Sequence, residues 1–509
     1  MKESKEIMPS KTEFLKNLEE RFAEAKEVKA VADELTNAGH EAYLVGGCLR
    51  DLLLGKEPKD WDIATSAKPE EVQKIFPDSV YENQFGTVGI KTGAEDIAKK
   101  IVEVTTFRLE GKYTDKRHPD EVKFAKTIEE DLSRRDFTIN AMAFEVTSTK
   151  RRVEGLVDPF DGLEDLRQRI IRTVGKPEER FSEDALRMMR APRFAVQLGF
   201  EMELNTRRAI EKLSGELEMI AKERIRDEFI KILETRDAAR GVIMLEELNL
   251  LRNVLPELRE SLGVGQNKHH IYTVFEHSTR ALDYTAKQDY SLLVRLASLL
   301  HDVGKPRSKQ GDGPNSTFYQ HEYIGAKMVL PALDRLRFPK EFTEKVAHLV
   351  RSHMFYYNVG EVTPAAVRRF LVRVGPENVP DLIKVREADR IGSGVEKAVP
   401  YKLRHFQAMI EKVKNDPISP KMLKVKGDDV MKILEIEPGP KIGQILNILL
   451  EDVLDDPEKN SRENLEERIK ELGKLPESKL KKLTEKAKER KEEAEEEIDK
   501  EINKKYYVK

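Results

Sequence analysis

The feature that most constrains this chain is a short run of glycines, an arginine and two aspartates near its N-terminus. Gly46 and Gly47 follow an apolar stretch, Arg50 comes three residues later, and Asp60 and Asp62 stand two positions apart. Glycines after a strand let backbone N–H groups approach a phosphate closely, and an arginine adds a guanidinium fork. Aspartates two apart on a strand share one face, where both can bind a hard cation. The run predicts a phosphate-binding turn beside a metal site.

The paired aspartates also indicate a type of chemistry. Two Mg²⁺ ions held between carboxylates and a triphosphate suit nucleotidyl transfer, since one activates the attacking hydroxyl and the other neutralises the leaving pyrophosphate. A third carboxylate usually completes such a site, and Glu103, within the strand-like segment 101–104, is the candidate. Taken singly, a glycine pair is a common turn and an Asp-x-Asp pair is a common surface or capping feature. The full string is far more specific than either part.

A second segment, 131–143, places Arg135 next to Asp136 in a largely apolar setting. Arginine binds phosphate with two donors, and a carboxylate accepts a hydrogen bond from a hydroxyl group. The pair therefore suits the phosphates and the sugar of a nucleotide. The alternative interpretation is a surface ion-pair cluster, which the apolar setting disfavours.

A third segment, 183–194, carries charged residues at three-residue intervals: Asp184, Arg187, Arg190 and Arg193. Residues three apart on a helix are neighbours, so a carboxylate and a guanidinium there can present the acceptor and donors that pair with a base edge. The two later arginines are predicted to face phosphate or base. The alternative is an ordinary exposed ion pair on a helix, which is common and stabilises little.

The second half of the chain contains a separate set of histidines and aspartates. The set consists of His277, His301, Asp302, His321, His353 and Asp389. Imidazoles combined with carboxylates suit Mn, Ni, Fe or Zn better than the all-oxygen environment that Mg²⁺ prefers. A lone helical histidine is usually structural, but an adjacent His-Asp pair with spaced partners indicates a transition-metal site. His353 is preferred as a ligand to nearby His348.

These motifs together resemble the branch of the polymerase-beta-like nucleotidyltransferases that holds poly(A) polymerases and CCA-adding enzymes. The resemblance covers about residues 40–460 and is to the bacterial CCA-adding tRNA nucleotidyltransferases that carry an HD domain. It implies template-independent addition of CCA to tRNA from CTP and ATP, with Mg²⁺ as the cofactor. It further implies that Arg135 grips the triphosphate, that Asp136 binds the ribose 2′-hydroxyl, and that Asp184 and Arg187 select C and A.

The histidine and aspartate set resembles the HD phosphohydrolase signature placed on helices. That resemblance implies a metal site through His277, His301, Asp302 and Asp389, with His321 and His353 available for a second ion. Residues 223–229 resemble the helix-bracing motif of the nucleotidyltransferase family.

Patterning along the chain predicts an α+β protein. Short β-rich runs between residues 42 and 146 indicate a mixed sheet with helices, whereas helical patterns dominate from about residue 158 onward. The predicted divisions are a polar extension (1–28), a nucleotidyltransferase head (29–150), a helical neck that binds RNA and selects nucleotides (151–262), an HD domain (263–400), a helical C-terminal body (401–470) and a charged helical tail (471–509).

Composition narrows the class of protein. One cysteine excludes disulfide scaffolds and cysteine-rich zinc sites, and no apolar stretch is long enough for a membrane span. We therefore expect a cytoplasmic protein with no membrane association. The net charge is only −3, so an RNA-binding protein of this composition needs local basic patches.

Two rival functions remain open from the sequence. An enzyme that adds only A, or a poly(A) polymerase, shares these motifs; a CC-only enzyme is disfavoured because residues 108–120 resemble the family's flexible loop. A metal-dependent HD phosphohydrolase with the head as an RNA clamp is the rival from another class, and the intact Asp60 and Asp62 pair argues against it. The oligomeric state, the HD metal and the HD substrate are also open.

Overall fold

The computed structural model describes residues 11–81, 86–110, 122–146, 155–266, 271–311, 313–476 and 478–484. The chain divides into two compact units, residues 1–256 and 257–509. Most of the predicted flexible loop, the predicted boundary at residue 150 and the tail from residue 485 lie outside the described residues. Among the described residues, no helix combines the length and apolar character needed to cross a membrane.

The first unit begins with a mixed α/β head. Its elements are α1 (Lys11–Glu24), α2 (Lys26–Asn37), β1 (Ala42–Val45), α3 (Gly46–Leu53), β2 (Trp61–Thr65), α4 (Pro69–Ile75), β3 (Val80–Tyr81), β4 (Thr87–Lys91), β5 (Ile101–Thr106), β6 (Arg108–Glu110), β7 (Val122–Phe124), α5 (Ile128–Ser133), β8 (Ala143–Glu145) and β9 (Leu156–Val157). Seven strands form one sheet in the order β3-β4-β5-β2-β1-β8-β9. β2 and β5 are parallel, and the other neighbours are antiparallel. The predicted mixed-sheet head is confirmed.

Side-chain alternation at the centre of this sheet places two carboxylates on the same face. On β5, Val102 and Val104 are buried while Glu103 between them is exposed. On β2, Asp62 lies between buried Trp61 and Ile63. Because side chains alternate between the faces of a strand, the carboxylates of Asp62 and Glu103 share the face opposite the core.

The N-terminal helix α1 is part of the head. Phe14, Leu15 and Leu18 are buried on one face, as helical spacing allows, and α1 packs against α3. Asn17 Nδ2 donates to the Leu53 carbonyl oxygen at 3.3 Å. The many polar residues of this segment conceal its apolar face in the sequence. The predicted division after residue 28 falls inside α2.

A helical neck completes the first unit. Its elements are α6 (Gly162–Gln168), β10 (Ile170–Ile171), α7 (Pro177–Glu183), α8 (Arg187–Leu198), β11 (Glu201–Met202), α9 (Leu204–Leu213), α10 (Lys222–Leu233), α11 (Ala238–Glu247) and α12 (Leu251–Val254). The next helix, α13 (Pro256–Arg259), begins at the last residue of this unit and belongs mainly to the second. α8 packs against both α10 and α11. Gly241 permits the close approach of α11 to α10, because a Cβ there would lie 2.4 Å from Ile232 Cγ2.

The described part of the second unit is helical apart from two short strands. Its elements are α14 (Val274–Lys287), α15 (Leu292–Leu300), α16 (Lys305–Ser308), β12 (Lys309–Gln310), β13 (Thr317–Phe318), α17 (His321–Arg335), α18 (Lys340–Ser352), α19 (Pro364–Val374), α20 (Val379–Gly392), α21 (Tyr401–Val413), α22 (Gly427–Leu434), α23 (Pro440–Asp455) and α24 (Arg462–Gly473). α14 packs against α15 and α20, and α17 packs against α18. These contacts bring helix ends that carry histidines towards one another.

The C-terminal helices have an apolar core of their own, to which α22, α23 and α24 contribute. Arg368 on α19 is buried and donates to the carbonyl oxygens of Leu454 at 2.7 Å and Asp455 at 3.2 Å. A cation at the C-terminal end of a helix satisfies its last carbonyls and opposes the helix dipole. Leu480, in the predicted tail, is also buried in this core.

Candidate functional site

Three carboxylates converge at the centre of the head sheet. Asp62 and Glu103 are register partners on the parallel strands β2 and β5, and Asp60 immediately precedes β2. Burial, and then repulsion from Glu103 and Asp60, raise the pKa of Asp62 to about 7, although Arg135 acts in the opposite direction. This crowding of negative charge fits a divalent cation, which would neutralise it.

The glycine turn lies directly against these carboxylates. Gly46 begins α3 and has φ +69°, a conformation that side chains rarely adopt. A Cβ at Gly46 would lie 3.0 Å from Arg135 Nη1 and 3.4 Å from Asp62 Oδ2. A Cβ there would therefore press on the Arg135 guanidinium group and touch the Asp62 carboxylate. The turn also presents the N-terminal N–H groups of α3, which favour anions.

The two predicted phosphate-binding arginines are held in fixed orientations. Arg50 is buried and donates to Asn140 Oδ1 at 2.8 Å and to Asp51 Oδ1 at 2.7 Å. Arg135 donates to Asp131 Oδ2 at 3.1 Å and to the Asn140 carbonyl oxygen at 3.3 Å. Asn140 thus contacts both guanidinium groups. Both arginines are therefore positioned before a ligand binds.

Asp136 is buried beside the same network. Arg190 Nε donates to Asp136 Oδ2 at 2.6 Å, and Asn140 Nδ2 lies 3.4 Å from Oδ1. Burial opposes ionisation, but the charges of Arg190 and Arg187 outweigh it and lower the pKa of Asp136 to about 2. Asp136 is therefore an ionised acceptor throughout the neutral pH range.

The prediction that Asp184 and Arg187 lie on one helix is wrong. α7 ends at Glu183 and α8 begins at Arg187, and Asp184 between them has extended backbone angles of φ −138° and ψ 103°. Its side chain accepts from the Leu186 N–H at 3.0 Å, a local contact that competes with helix formation. Arg187 Nη1 donates instead to Glu183 Oε2 at 2.7 Å.

Sequence reasoning missed the partner of Asp184. Arg224 on α10 binds it at 2.8 Å between Nη2 and Oδ2. The signal that could have found it is the motif at 223–229, for which the family resemblance implies only a bracing role. That bracing role is visible at Glu228, whose Oε2 accepts from Arg193 Nε at 2.6 Å in a buried pair. Arg193, predicted to face phosphate or base, thus links α8 to α10.

A cleft of about 980 Å³ joins these groups within the first unit. The predicted residues that line it are Gly46, Gly47, Arg50, Asp60, Asp62, Glu103, Arg135, Asp136, Asp184, Arg187, Arg190 and Arg193. Basic residues that were not predicted also line it: Lys56, Lys59, Arg108, Arg134, Arg224 and Lys231. The cleft therefore has the local positive charge that the near-neutral composition concealed.

The second unit contains a separate, buried cluster of donors. His277 on α14 lies with its Nε2 2.9 Å from His301 Nε2, 3.1 Å from Asp302 Oδ2 and 3.3 Å from Asp389 Oδ1. His301 and Asp302 follow the end of α15, and Asp389 lies on α20. Three helices thus bring four ligand-type side chains to one point.

Two more histidines approach the other oxygen of Asp302. His321 Nε2 lies 3.2 Å from Asp302 Oδ1 and 3.3 Å from His353 Nε2. Gly304 permits this arrangement, because a Cβ there would lie only 2.1 Å from the His321 carbonyl oxygen. His348, the rejected candidate, donates to the Val374 carbonyl oxygen instead.

Backbone contacts aim the imidazoles of this cluster. The Nδ1 atoms of His301, His321 and His353 each donate to a carbonyl oxygen three residues earlier, at 2.7 to 2.8 Å. Such contacts fix the tautomer and direct Nε2 towards a metal. The donors form two groups suited to a metal ion, one of His277, His301 and Asp389 and one of Asp302, His321 and His353.

Cations stabilise both carboxylates of the cluster. Lys305 Nζ lies 2.6 Å from Asp302 Oδ2, and Arg386 Nη1 lies 2.5 Å from Asp389 Oδ2. Burial opposes ionisation of Asp302, but His301 and Lys305 outweigh it and hold its pKa well below the usual range. The ionised, nitrogen-rich donor set fits a transition metal.

Comparison with known sequences places the three regions of the chain. The poly A polymerase head domain matches residues 42–172, and the probable RNA- and SrmB-binding site of polymerase A matches residues 199–262. The HD domain matches residues 269–394.

Whole-chain relatives agree with this order of domains. An A-adding tRNA nucleotidyltransferase from Deinococcus radiodurans is 35% identical, over 81% of this chain and 91% of that protein. A CCA-adding enzyme from Lactococcus lactis is 34% identical, over 88% of this chain and 97% of that protein.

Among solved structures, the Bacillus stearothermophilus CCA-adding enzyme in complex with CTP has a TM-score of 0.62 at 28% identity, over 88% of this chain and 96% of that chain. The Thermotoga maritima CCA-adding enzyme complexed with tRNA shares the fold, with a TM-score of 0.54 at 21% identity, over 87% of this chain and 94% of that chain. This chain belongs to the family of tRNA nucleotidyltransferases that contains the CCA-adding and A-adding enzymes.

Proposed function

We propose that this chain adds C, C and A to the 3′ end of tRNA from CTP and ATP, without a nucleic-acid template, in the cytoplasm. The observation that carries the proposal is the cleft in which the three carboxylates, the oriented arginines Arg50 and Arg135, and the Asp184 and Arg187 pair meet. The 34% identical Lactococcus lactis relative, matched over 97% of its length, carries the name CCA-adding enzyme and supports this specificity.

In the proposed reaction, the 3′-hydroxyl oxygen of tRNA attacks the α-phosphorus of the nucleotide. The bond from that phosphorus to the bridging oxygen breaks, pyrophosphate leaves, and the hydroxyl proton passes to water. Magnesium held by Asp60, Asp62 and Glu103 would supply charge neutralisation and a more acidic hydroxyl. Arg50 and Arg135 hold the triphosphate from fixed positions, which reduces the entropy lost on reaching the reactive geometry.

Nucleotide choice is assigned to the junction of α7 and α8. Asp184 supplies acceptor oxygens and Arg187 supplies donors, as a base edge requires. Arg224 holds Asp184 at 2.8 Å, and Glu183 holds Arg187 at 2.7 Å. Both selecting groups therefore have a supporting partner. Asp136, ionised and buried, supplies the acceptor for a ribose hydroxyl.

The decisive test uses tRNA that lacks its CCA end, with labelled CTP and ATP supplied singly and together. A CCA-adding enzyme incorporates two C residues with CTP alone and then one A. An A-adding enzyme, the reading favoured by the Deinococcus radiodurans relative, would extend only tRNA that already ends in CC. A poly(A) polymerase would build long A tails. Failure to incorporate C would defeat the proposal.

The second function, at the HD cluster, is hydrolysis of phosphate esters. Six donor side chains gathered in one largely buried cluster, three of them imidazoles oriented by backbone contacts, carry this proposal. A bound transition metal, Mn, Ni, Fe or Zn, would supply activation of water near neutral pH. In the hydrolysis, a water oxygen bonds to phosphorus, the ester P–O bond breaks, and the departing alcohol oxygen gains a proton. Asp302 contacts both groups of donors and positions them.

This activity is tested by release of phosphate from simple esters and from RNA ends, with Mn²⁺ or Ni²⁺ added to metal-depleted protein. The expected result is turnover that a chelator removes and that Mg²⁺ does not restore. Absence of turnover with Mn²⁺, Ni²⁺, Fe²⁺ and Zn²⁺ would show that the cluster is not a hydrolase.

A further inference from the structure

The N-terminal helix α1 precedes the part of the chain that matches the polymerase head domain, yet it packs against the head. Its buried residues Phe14, Leu15 and Leu18 form one apolar face. A helix held by such a face cannot rotate about its axis without exposing apolar surface. The polar residues beside that face are therefore presented to the head in fixed positions.

Contacts from α1 hold both ends of the segment 54–60, which joins α3 to β2 and is called here the joining segment. At one end, Asn17 Nδ2 donates to the Leu53 carbonyl oxygen at 3.3 Å, where α3 finishes. At the other end, the rings of Phe22 and Trp61, the first residue of β2, have centroids 6.5 Å apart. The joining segment thus depends on α1 for its position.

One ion pair connects α1 to the middle of the joining segment. Arg21 Nη1 donates to Glu57 Oε1 at 2.5 Å. Glu57 lines the cleft, as do Lys56 and Lys59 of the same segment. The side chains of Arg21 and Glu57 are 35% and 64% exposed, and exposed ion pairs stabilise a fold little. The effect of this pair is therefore expected in the charge of the cleft.

Glu57 differs from the other carboxylates of the cleft in the origin of its partner. Three of those carboxylates pair with arginines that themselves line the cleft: Asp51 with Arg50, Asp136 with Arg190 and Asp184 with Arg224. Arg21 is not part of the cleft lining and reaches Glu57 from α1. Without it, the Glu57 carboxylate would repel phosphate groups and would compete with them for Lys56 and Lys59.

We infer that Arg21 is a positioning residue for substrate phosphate groups: it neutralises Glu57 from outside the cleft and leaves Lys56 and Lys59 to bind phosphate. The inference rests on the nucleotide addition proposed above and extends its machinery to the N-terminal helix. The triphosphate of a nucleotide and the phosphodiesters at the 3′ end of tRNA share this chemistry, and the experiment separates them.

The test measures binding without turnover, by equilibrium dialysis of the full chain with Mg²⁺ against labelled CTP alone and against labelled tRNA lacking its CCA end alone. Arg21→Gln should weaken binding of at least one ligand about fivefold at low salt, the effect of about one unit charge near a phosphate in water. The loss should shrink at about 0.3 M salt, because salt screens exposed charges.

Two single variants serve as controls. Arg21→Lys keeps the cation and should bind both ligands like the wild type. Lys16→Gln removes the same charge from the same helix, where Lys16 pairs with exposed Glu20 at 3.6 Å, and should change neither affinity. The Tm of Arg21→Gln should stay within about two degrees of the wild type, because the lost pair is exposed.

The double variant Arg21→Gln with Glu57→Gln separates charge from structure. It lacks the ion pair but also the carboxylate, so both affinities should return to within about twofold of the wild type. A merely structural role for Arg21 predicts no recovery. A loss confined to CTP would assign the lysines to the triphosphate, and a loss confined to tRNA would assign them to the RNA.

Three results would overturn the inference: unchanged affinity for both ligands in Arg21→Gln, a loss that does not depend on salt, or no recovery in the double variant. Absence of nucleotide addition by the wild type would instead defeat the proposed transferase function. Dialysis would still decide the role of Arg21, because it requires no turnover.

Discussion

The head cleft and the HD cluster both gather carboxylates for metal ions, but they treat the charge of those carboxylates in opposite ways. In the head, Asp62 lies between Glu103 and Asp60, and burial with their repulsion raises its pKa to about 7. In the HD cluster, burial alone would raise the pKa of Asp302, yet His301 and Lys305 hold it well below the usual range. In the head, the negative charges of neighbouring carboxylates repel one another. In the HD cluster, cationic side chains of the protein neutralise the carboxylates.

This difference in carboxylate charge fits the metal use proposed for each site, Mg²⁺ that enters with the nucleotide in the head and a resident transition metal in the HD cluster. In the proposed reaction, the head carboxylates would bind Mg²⁺ that enters with the nucleotide, and the arginines of the cleft would bind the triphosphate. The HD donors are largely buried, and each carboxylate has a cationic partner, Lys305 or Arg386, that holds it in position. The two sites should therefore fail independently, and each should depend on a different class of metal.

The largest expected effect follows from substitution of Asp62. Asp62→Asn keeps the size of the side chain but removes the charge between β2 and β5, and should lower nucleotide addition with Mg²⁺ by about a thousandfold or more. Phosphate release with Mn²⁺ should persist in the same preparation. Labelled CTP incorporation and inorganic phosphate release are measured in parallel. Near-normal incorporation would remove Asp62 from the catalytic site.

The reciprocal change targets the HD cluster. His301→Ala removes an Nε2 donor that lies 2.9 Å from His277 Nε2, and should lower phosphate release about a thousandfold while CCA addition stays within a few-fold of wild type. His348→Ala, on the neighbouring α18, is the matched control because its imidazole contacts a backbone carbonyl outside the cluster. Equal loss of both activities in a folded His301→Ala protein would break the comparison between the two sites.

Sequence alone predicted the parts of each site that depend on short-range spacing. Asp62 and Glu103 fall on strands whose apolar alternation is visible in the sequence, and the parallel pairing of those strands brings the two carboxylates together. In the HD set only the adjacent His301 and Asp302 are a short-range signal, and the other members come from the resemblance to the HD signature. Site features that depend on residues close together in the chain can therefore be predicted from the sequence.

Sequence reasoning was insufficient where a partner distant in the chain determines the conformation or the contacts of a residue. The spacing of Asp184 from Arg187 predicts a shared helix, but a side-chain contact to the Leu186 N–H and an ion pair with Arg224, 40 residues away, hold Asp184 outside the helix. Arg193 lines the cleft, so its predicted contact with phosphate or base stays a prediction, but nothing local in the sequence reveals Glu228 as its partner. No periodicity predicts which of several arginines will meet a buried carboxylate.

The pairing of Arg193 gives a test of stability rather than of catalysis. Arg193→Ala leaves Glu228 buried without its main cation, and such a loss typically costs about 3–5 kcal/mol. Unfolding by urea, followed by fluorescence of Trp61, the single tryptophan and a residue of the same unit, measures the change. The paired substitution Arg193→Met with Glu228→Met should recover much of the stability. A stable Arg193→Ala protein with weak triphosphate binding would restore its original assignment as a ligand group.

Nucleotide selection should show a smaller effect that depends on the new partner. Asp184→Ala and Arg224→Ala should each change the CTP to ATP preference by about tenfold, the size expected when one hydrogen-bonded base contact is lost. Arg224→Ala acts through the position of Asp184, so the double variant should be no worse than Asp184→Ala. Ratios of kcat/KM for the two nucleotides measure this. Additive effects in the double variant would show that Arg224 contacts the base independently.

The smallest effect concerns the charge strain in the head itself. Because the pKa of Asp62 is raised from 3.8 to about 7, the folded, metal-free head retains a proton that the unfolded chain releases within that window. Stability from this group is therefore fully present below about pH 4 and is lost as the pH rises towards 7. Asp62→Asn does not titrate there, so its Tm relative to wild type should increase by about a few degrees between pH 5 and pH 8. Fluorescence of Trp61, buried on β2 next to Asp62, reports unfolding of the head without interference from the second unit.

Saturating Mg²⁺ should reverse the Tm difference at pH 8, because only the wild type has the complete set of carboxylates for the ion. A Tm difference that is the same at both pH values, with and without Mg²⁺, would mean that the head carboxylates are not strained and that the contrast with the HD cluster does not lie in their charge.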